Sequence, residues 1–175
     1  MKWIFIILGS LVALALIIAV IGMLLPREHQ ATSEIMLRQT PDSVWSVVRD
    51  PAALQGTWPD LKSVRRLNDP AGREIWEEDV GGFPMRLVVT TETRPTELIT
   101  TIDAPPDGAF GGRWIYRIGP TAEGGSRVSV TEDGWIRNPF FRVMANVTGL
   151  HRTLDGYLTA LGRRFGEEVT PVHLR

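Results

Sequence analysis

The sequence contains no cysteine. Disulfides, thiolate nucleophiles and cysteine-ligated zinc or iron–sulfur centres are therefore excluded, although many extracytoplasmic proteins also lack cysteine. A basic run is missing too: 19 Lys and Arg stand against 20 Asp and Glu, for a formal charge of -1. The densest basic spot, Arg163-Arg164, is followed at once by Glu167-Glu168. A nucleic-acid partner is excluded on this ground, because phosphate binding needs clustered cations. Of the three histidines, only His151 falls inside a predicted element of the folded domain, whereas His29 and His173 fall in a linker and a tail. No metal-ligand spacing results, and no metal site is expected. The serines lack a nucleophile elbow, and GAFGG and EGGSR match no phosphate loop, so no cofactor is expected either. Internal repeats and low-complexity stretches are also absent.

One long apolar run is present. From Trp3 to Leu25 the sequence carries no charge. At about 1.5 Å per residue it spans roughly 35 Å as a helix, enough for the roughly 30 Å hydrocarbon core of a bilayer. A cleaved signal has an apolar region of roughly 7–15 residues followed by a small-x-small site, and Met23-Leu24-Leu25-Pro26 offers none. The reading is a retained single-pass anchor in the cell membrane over residues 1–26 and a linker over 27–31. A folded domain over 32–166 and a tail over 167–175 complete the chain. So short a linker keeps the domain near the bilayer surface, while the anchor itself is expected to make no contact with the domain's core. Lys2 on one flank and Arg27 and Arg38 on the other nearly balance, with a lean towards a domain outside the cytoplasm.

Within the domain, Ser33–Arg38 reads as a first strand. Thr40-Pro41 supplies an N-cap and a first-turn proline for a helix that ends at Arg49, before Pro51. A second short helix covers Pro51 to about Gln55. Six β segments follow, Leu61–Asn68, Glu74–Val80, Met85–Arg94, Leu98–Asp103, Arg113–Gly119 and Arg127–Gly134, punctuated by Gly and Pro turns in the manner of an antiparallel meander. Asn138-Pro139 then caps one long helix reaching about Phe165. Its apolar positions Phe140, Val143/Met144, Val147, Leu150, Leu154, Tyr157/Leu158, Leu161 and Phe165 form a single stripe that should be buried.

This order of elements resembles the START-like (SRPBCC) helix-grip superfamily, particularly its polyketide cyclase/dehydrase-type bacterial members. The segments TPDSVWSVVRDPAALQGTWPDLKSV, IWEEDVGGFPMRL, FGGRWIYRI, VTEDGWIRNPFFRVM and HRTLDGYLTAL carry the likeness over essentially all of Thr32–Phe165. The resemblance implies an α+β fold in which an antiparallel sheet of about seven strands wraps around the long C-terminal helix. It also implies an apolar cavity that the two short helices help close. The superfamily holds binding proteins, lipid carriers, cyclases and accessory subunits, so it specifies a fold more than a function.

Candidate site residues follow from strand alternation. Trp114, Tyr116 and Ile118 share a face, as do Trp76, Glu78 and Val80, and Val128, Val130 and Glu132. The expected cavity wall is Trp58, Trp76, Met85, Leu87, Trp114, Tyr116, Val130 and Met144, and the expected ligand is a hydrophobic small molecule or lipid. Trp45 reads as helix core. Glu132, in register with two valines, is a candidate acid or base if it faces inward; the plainer reading pairs it with Arg86 or Arg113. Glu77, Glu78 and Asp79 read as a solvated edge. Tyr116 could donate to a ligand oxygen. His151, with Asp155 four residues on, could act as a base, although a surface position fits it as well. Two functions from different classes emerge: a membrane-tethered binder, and a cyclase- or dehydratase-type enzyme using Glu132, Tyr116 or His151.

Overall fold

The computed structural model describes residues 2–174. Helix α1, Lys2–Leu24, is apolar on every face. It is the one helix, among the described residues, long and apolar enough to cross a membrane. Strand β1 follows at Glu28–Leu37, so most of the expected linker belongs to the sheet instead. Helix α2, Pro41–Val48, starts where Thr40 accepts from the Ser43 N–H and Pro41 occupies the first turn. A 3-10 turn, Pro51–Leu54, is capped in the same way by Asp50. The meander is β2 Leu61–Leu67, β3 Ile75–Val80, β4 Phe83–Thr93, β5 Glu97–Ile102, β6 Phe110–Pro120 and β7 Ser126–Ile136. Helices α3, Pro139–Thr148, and α4, Arg152–Arg164, come next, and β8, Val172–Leu174, ends the fold.

All eight strands form one antiparallel sheet in the order β2-β3-β4-β5-β6-β7-β1-β8. Strand β1 pairs with β7 in the register Ala31 to Glu132 and Ser33 to Val130. Its inward residues Ala31, Ser33, Ile35 and Leu37 are all buried. The sheet grips α4, whose Leu154, Tyr157, Leu158 and Leu161 enter the core with Val44, Trp45, Leu54, Val128 and Val130. The expected helix-grip is therefore present, with eight strands instead of seven because part of the tail adds β8 to the free edge of β1.

Two expectations need correction. The long C-terminal helix is two helices, because Gly149 takes φ 87°, a left-handed conformation that ends α3 and that glycine adopts without strain. The stripe is consequently not buried along its length. Leu154, Leu158 and Leu161 are buried, whereas Phe140, Met144 and Val147 on α3 are exposed. Secondly, α1 does not stand free of the domain. Ile18, Ala19 and Leu25 are partly shielded and Gly22 is buried, because the end of α1 packs against α3. A Cβ on Gly22 would collide with the Pro139 carbonyl oxygen, so the two backbones meet directly there.

Candidate functional site

Between the sheet and the two C-terminal helices lies a cavity of about 250 Å³. Successive inward positions of β3 and β4 build one wall, with Glu78 paired to Met85 and Val80 to Phe83. Trp114 and Tyr116 on β6 build another, and Phe141, Met144 and Ala145 close it from α3. Apolar side chains dominate; the polar residues are Glu78, Glu132, Thr153 and Tyr116. Phe83 and Met144 are both about half exposed and therefore stand at the mouth.

Four aromatic rings make one cluster beside the cavity. Tyr157, from α4, meets Trp58 at 5.5 Å and Trp114 at 6.1 Å, both edge-to-face, and Tyr116 at 5.4 Å. Such arrangements set the positive ring edge against a negative face. Trp58 is only 4% exposed, and its indole N–H has no partner among the described residues. It lies against Gly156, where a Cβ would approach the indole nitrogen to 3.2 Å. Trp58 thus lines the cavity as a buried wall. Trp45, 4% exposed, belongs to the core.

The carboxyls differ in their partners. Glu78 faces the cavity with no hydrogen-bond partner among the described residues, and burial pushes its carboxyl up to about 7. Glu132 also lines the cavity and accepts from His29 Nε2 at 3.3 Å. Its expected partners are engaged elsewhere, Arg113 with Asp133 and Arg86 with Glu77. Burial, helped by the charges of Glu78 and Glu132, also holds the Tyr116 phenol well above its usual range.

Six of the eight residues expected at the wall line this cavity: Trp58, Met85, Leu87, Trp114, Tyr116 and Met144. Trp76 and Val130 do not. Trp76 shares a strand face with Glu78 but sits nearer the start of β3, where its indole N–H donates to Glu74 Oε1 at 2.8 Å. Val130, fully buried, is core. Among residues given no site role from sequence, Glu78, Tyr157 and His29 surround the cavity or its polar groups. The alternation Trp76–Glu78–Val80 already put Glu78 on an apolar face; the run of three acids masked it.

His151 is outside the cavity, at the start of α4. Ser33, itself fully buried, donates its single hydroxyl proton to Asp155 Oδ1 at 2.7 Å. Toward His151 the Ser33 hydroxyl is therefore an acceptor, and His151 Nδ1–H donates to it at 3.1 Å. Strand β8 brings in His173, whose Nε2–H donates to Asp155 Oδ2 at 2.9 Å. Contrary to the expectation from spacing, three metal-type donors thus lie within 4.8 Å of one another, His151, Asp155 and His173. The two imidazoles stack at 3.8 Å and 14°, so their nitrogens run side by side, and both Asp155 oxygens already accept hydrogen bonds. Burial and the neighbouring His173 lower the His151 pKa.

Residues 28–166 match the family described as polyketide cyclase/dehydrase and lipid transport. Among solved structures, the chain is similar to the ZhuI aromatase/cyclase of Streptomyces sp. R1128, with 15% identity, TM-score 0.62, and 79% of this chain and 94% of that one covered. It is likewise similar to a START superfamily protein of Mycobacterium smegmatis, with 20% identity, TM-score 0.56 and coverage of 79% and 97%. A protein of Thermus thermophilus gives 19% identity, TM-score 0.59 and coverage of 78% and 96%. At these identities the likeness is one of fold. No curated protein matches the sequence.

Proposed function

Because the chain belongs to the polyketide cyclase/dehydrase and lipid transport family, we propose that it binds a hydrophobic small molecule or lipid in the cavity while α1 tethers it to a membrane. The composition of the cavity wall carries this reading. Apolar and aromatic side chains from β3, β4, β6 and α3 surround a space of about 250 Å³, with few polar groups converging on it, as in sites that select a ligand by shape and apolar area. Glu78, held near pH 7, is mixed between a donating carboxyl and an accepting carboxylate, which suits a ligand carrying one hydroxyl or carbonyl. The length and composition of α1 support the tether.

The test is to purify the full chain, identify what co-purifies by native mass spectrometry, and measure affinity for a pyrene-labelled fatty acid. Trp114→Ala should weaken that affinity by about 2 kcal/mol, roughly 30-fold, through lost apolar contact. Circular dichroism must show the variant folded. Unchanged affinity in a folded Trp114→Ala protein would remove the cavity from the binding site.

A second reading rests on Glu78 and Glu132 facing the same cavity. A carboxyl poised near neutrality is suited to general acid–base chemistry, here the proton transfers of a cyclase or dehydratase. Glu78 would be the proton-transfer group and Tyr116 a donor to a ligand oxygen. Under that reading Glu78→Gln lowers turnover of a poly-β-ketone substrate on the order of 100- to 10,000-fold while binding survives. The binding reading expects no turnover by either protein.

A further inference from the structure

Helix α3 has an apolar face that the domain does not cover. Phe140, Met144 and Val147, spaced four and three residues apart, are 46%, 48% and 80% exposed. The one charged side chain on α3, Arg142, is buried. It donates to the Leu25 carbonyl at 2.7 Å and to the Arg137 carbonyl at 3.2 Å, which fastens the end of α1 to the start of α3. The direct contact of Gly22 with Pro139 is a second fastening. Along α1, the shielded positions run from Ile18 to Leu25, about 10 Å of helix at about 1.5 Å per residue. Helix α3 therefore lies beside the final turns of the apolar span instead of beyond them.

We propose that α3 is seated in the bilayer interface and that the cavity opens into it, so that the ligand is the hydrocarbon portion of a bilayer lipid entering sideways. This rests on the reading of α1 as a membrane span. Interfacial helices bury their apolar face about 5–10 Å into the boundary between headgroups and acyl chains, a depth that matches the stretch of α1 beside α3. Met144 belongs both to the exposed face and to the cavity wall, and Phe83, 55% exposed at the start of β4, faces it across the mouth. The apolar surface is thus continuous from outside to inside. The flanks carry exposed Arg27, Arg137 and Arg152 against exposed Glu28 and Asp107, a small positive balance that favours anionic headgroups, each cation near the surface adding about 1 kcal/mol.

Absence of cysteine makes the test clean. Single-cysteine variants Val147→Cys and Glu123→Cys of the full chain, each carrying an environment-sensitive dye, are reconstituted into vesicles of phosphatidylcholine and phosphatidylglycerol. Residue 123 is exposed in the turn joining β6 to β7, at the opposite end of those strands from Phe110 and Ile136, which line the cavity. Dye at 147 should emit to the blue and be quenched several-fold more strongly than dye at 123 by a spin label on the lipid acyl chains. Resistance of the chain to alkaline extraction reports separately on α1. If α1 resists extraction while the dye at 147 behaves as the dye at 123 does, the seating is wrong and the span stands. A blue shift at 147 without quenching by the lipid label means protein covers α3, which also overturns the proposal. If α1 extracts, the span reading fails, and the seating with it.

Discussion

Glu74 and Glu78 lie four residues apart on one face of β3 and its approach, yet they hold protons at pH values far apart. Arg49 donates to both oxygens of Glu74 at 2.7 Å, and Trp76 adds a third bond. Chiefly through Arg49, the Glu74 carboxyl is lowered to about 2. Glu78 has the same strand geometry and no hydrogen-bond partner among the described residues, and burial raises it to about 7. The strand end beside α2 is thus built as a clasp, and the end beside the cavity leaves a carboxyl free for something else. Placing an acid inward is the same move at both ends; the neighbour decides whether it is locked into the fold as an ion pair or left as a carboxyl with a raised pKa.

Removing the clasp should have the largest effect. Arg49→Met takes the bidentate partner from half-buried Glu74 and leaves it only the Trp76 N–H and, at 3.7 Å, Arg66, and stability at pH 7 should fall by about 3 kcal/mol, measured by denaturant unfolding of the full chain in detergent. Glu74's folded pKa is lowered, so its contribution is present above about 4.5 and lost as pH falls towards about 2. The variant should therefore lose less stability than the wild type over that range; equal losses would place the acid sensitivity elsewhere. Glu78→Gln should act in the opposite sense. Its folded pKa is raised, so ionisation costs stability that disappears as pH rises from about 4.5 through about 7. The variant should gain about 2 kcal/mol at pH 8 and nothing at pH 4, and a gain independent of pH would break the contrast between the two acids. Smallest is Trp76→Phe, which removes the donor to Glu74 and keeps most of the ring. It should cost about 1 kcal/mol at pH 7 and leave affinity for the pyrene-labelled fatty acid unchanged; a loss of affinity would move Trp76 to the cavity.

The meander, the capped α2 and the core face of α4 were legible because each depends on local pattern: Thr40-Pro41 before an apolar run, alternation between Gly and Pro turns, and a 3.6-residue stripe through Leu154, Leu158 and Leu161. Pattern alone does not say what an apolar face meets. Phe140, Met144 and Val147 continue the same stripe, but the break at Gly149 frees α3 to turn that face outward. Partners contributed by distant segments were equally hidden. His29 reaches Glu132 only because β1 starts early enough to pair with the end of β7. His173 joins His151 and Asp155 only because three residues of the tail form β8. The wall residues Trp114 and Tyr116 needed just alternation, whereas Glu78, put on the face of Trp76 and Val80 by the same alternation, was masked by Glu77 and Asp79 because a run of three acids reads as a solvated edge.

Three residues, Leu25, Pro26 and Arg27, separate α1 from β1. Leu25 accepts from Arg142, and the Arg27 carbonyl accepts from the Ile136 N–H at 2.8 Å. The joint has no slack with which to swivel. With α1 in a bilayer, the domain would be a fixed station and not a ferry. It could lift a molecule partly out of one leaflet and hold it for whatever docks at that spot, but it could not carry cargo across an aqueous gap. Delivery to a second membrane would fall to a soluble carrier that comes to it.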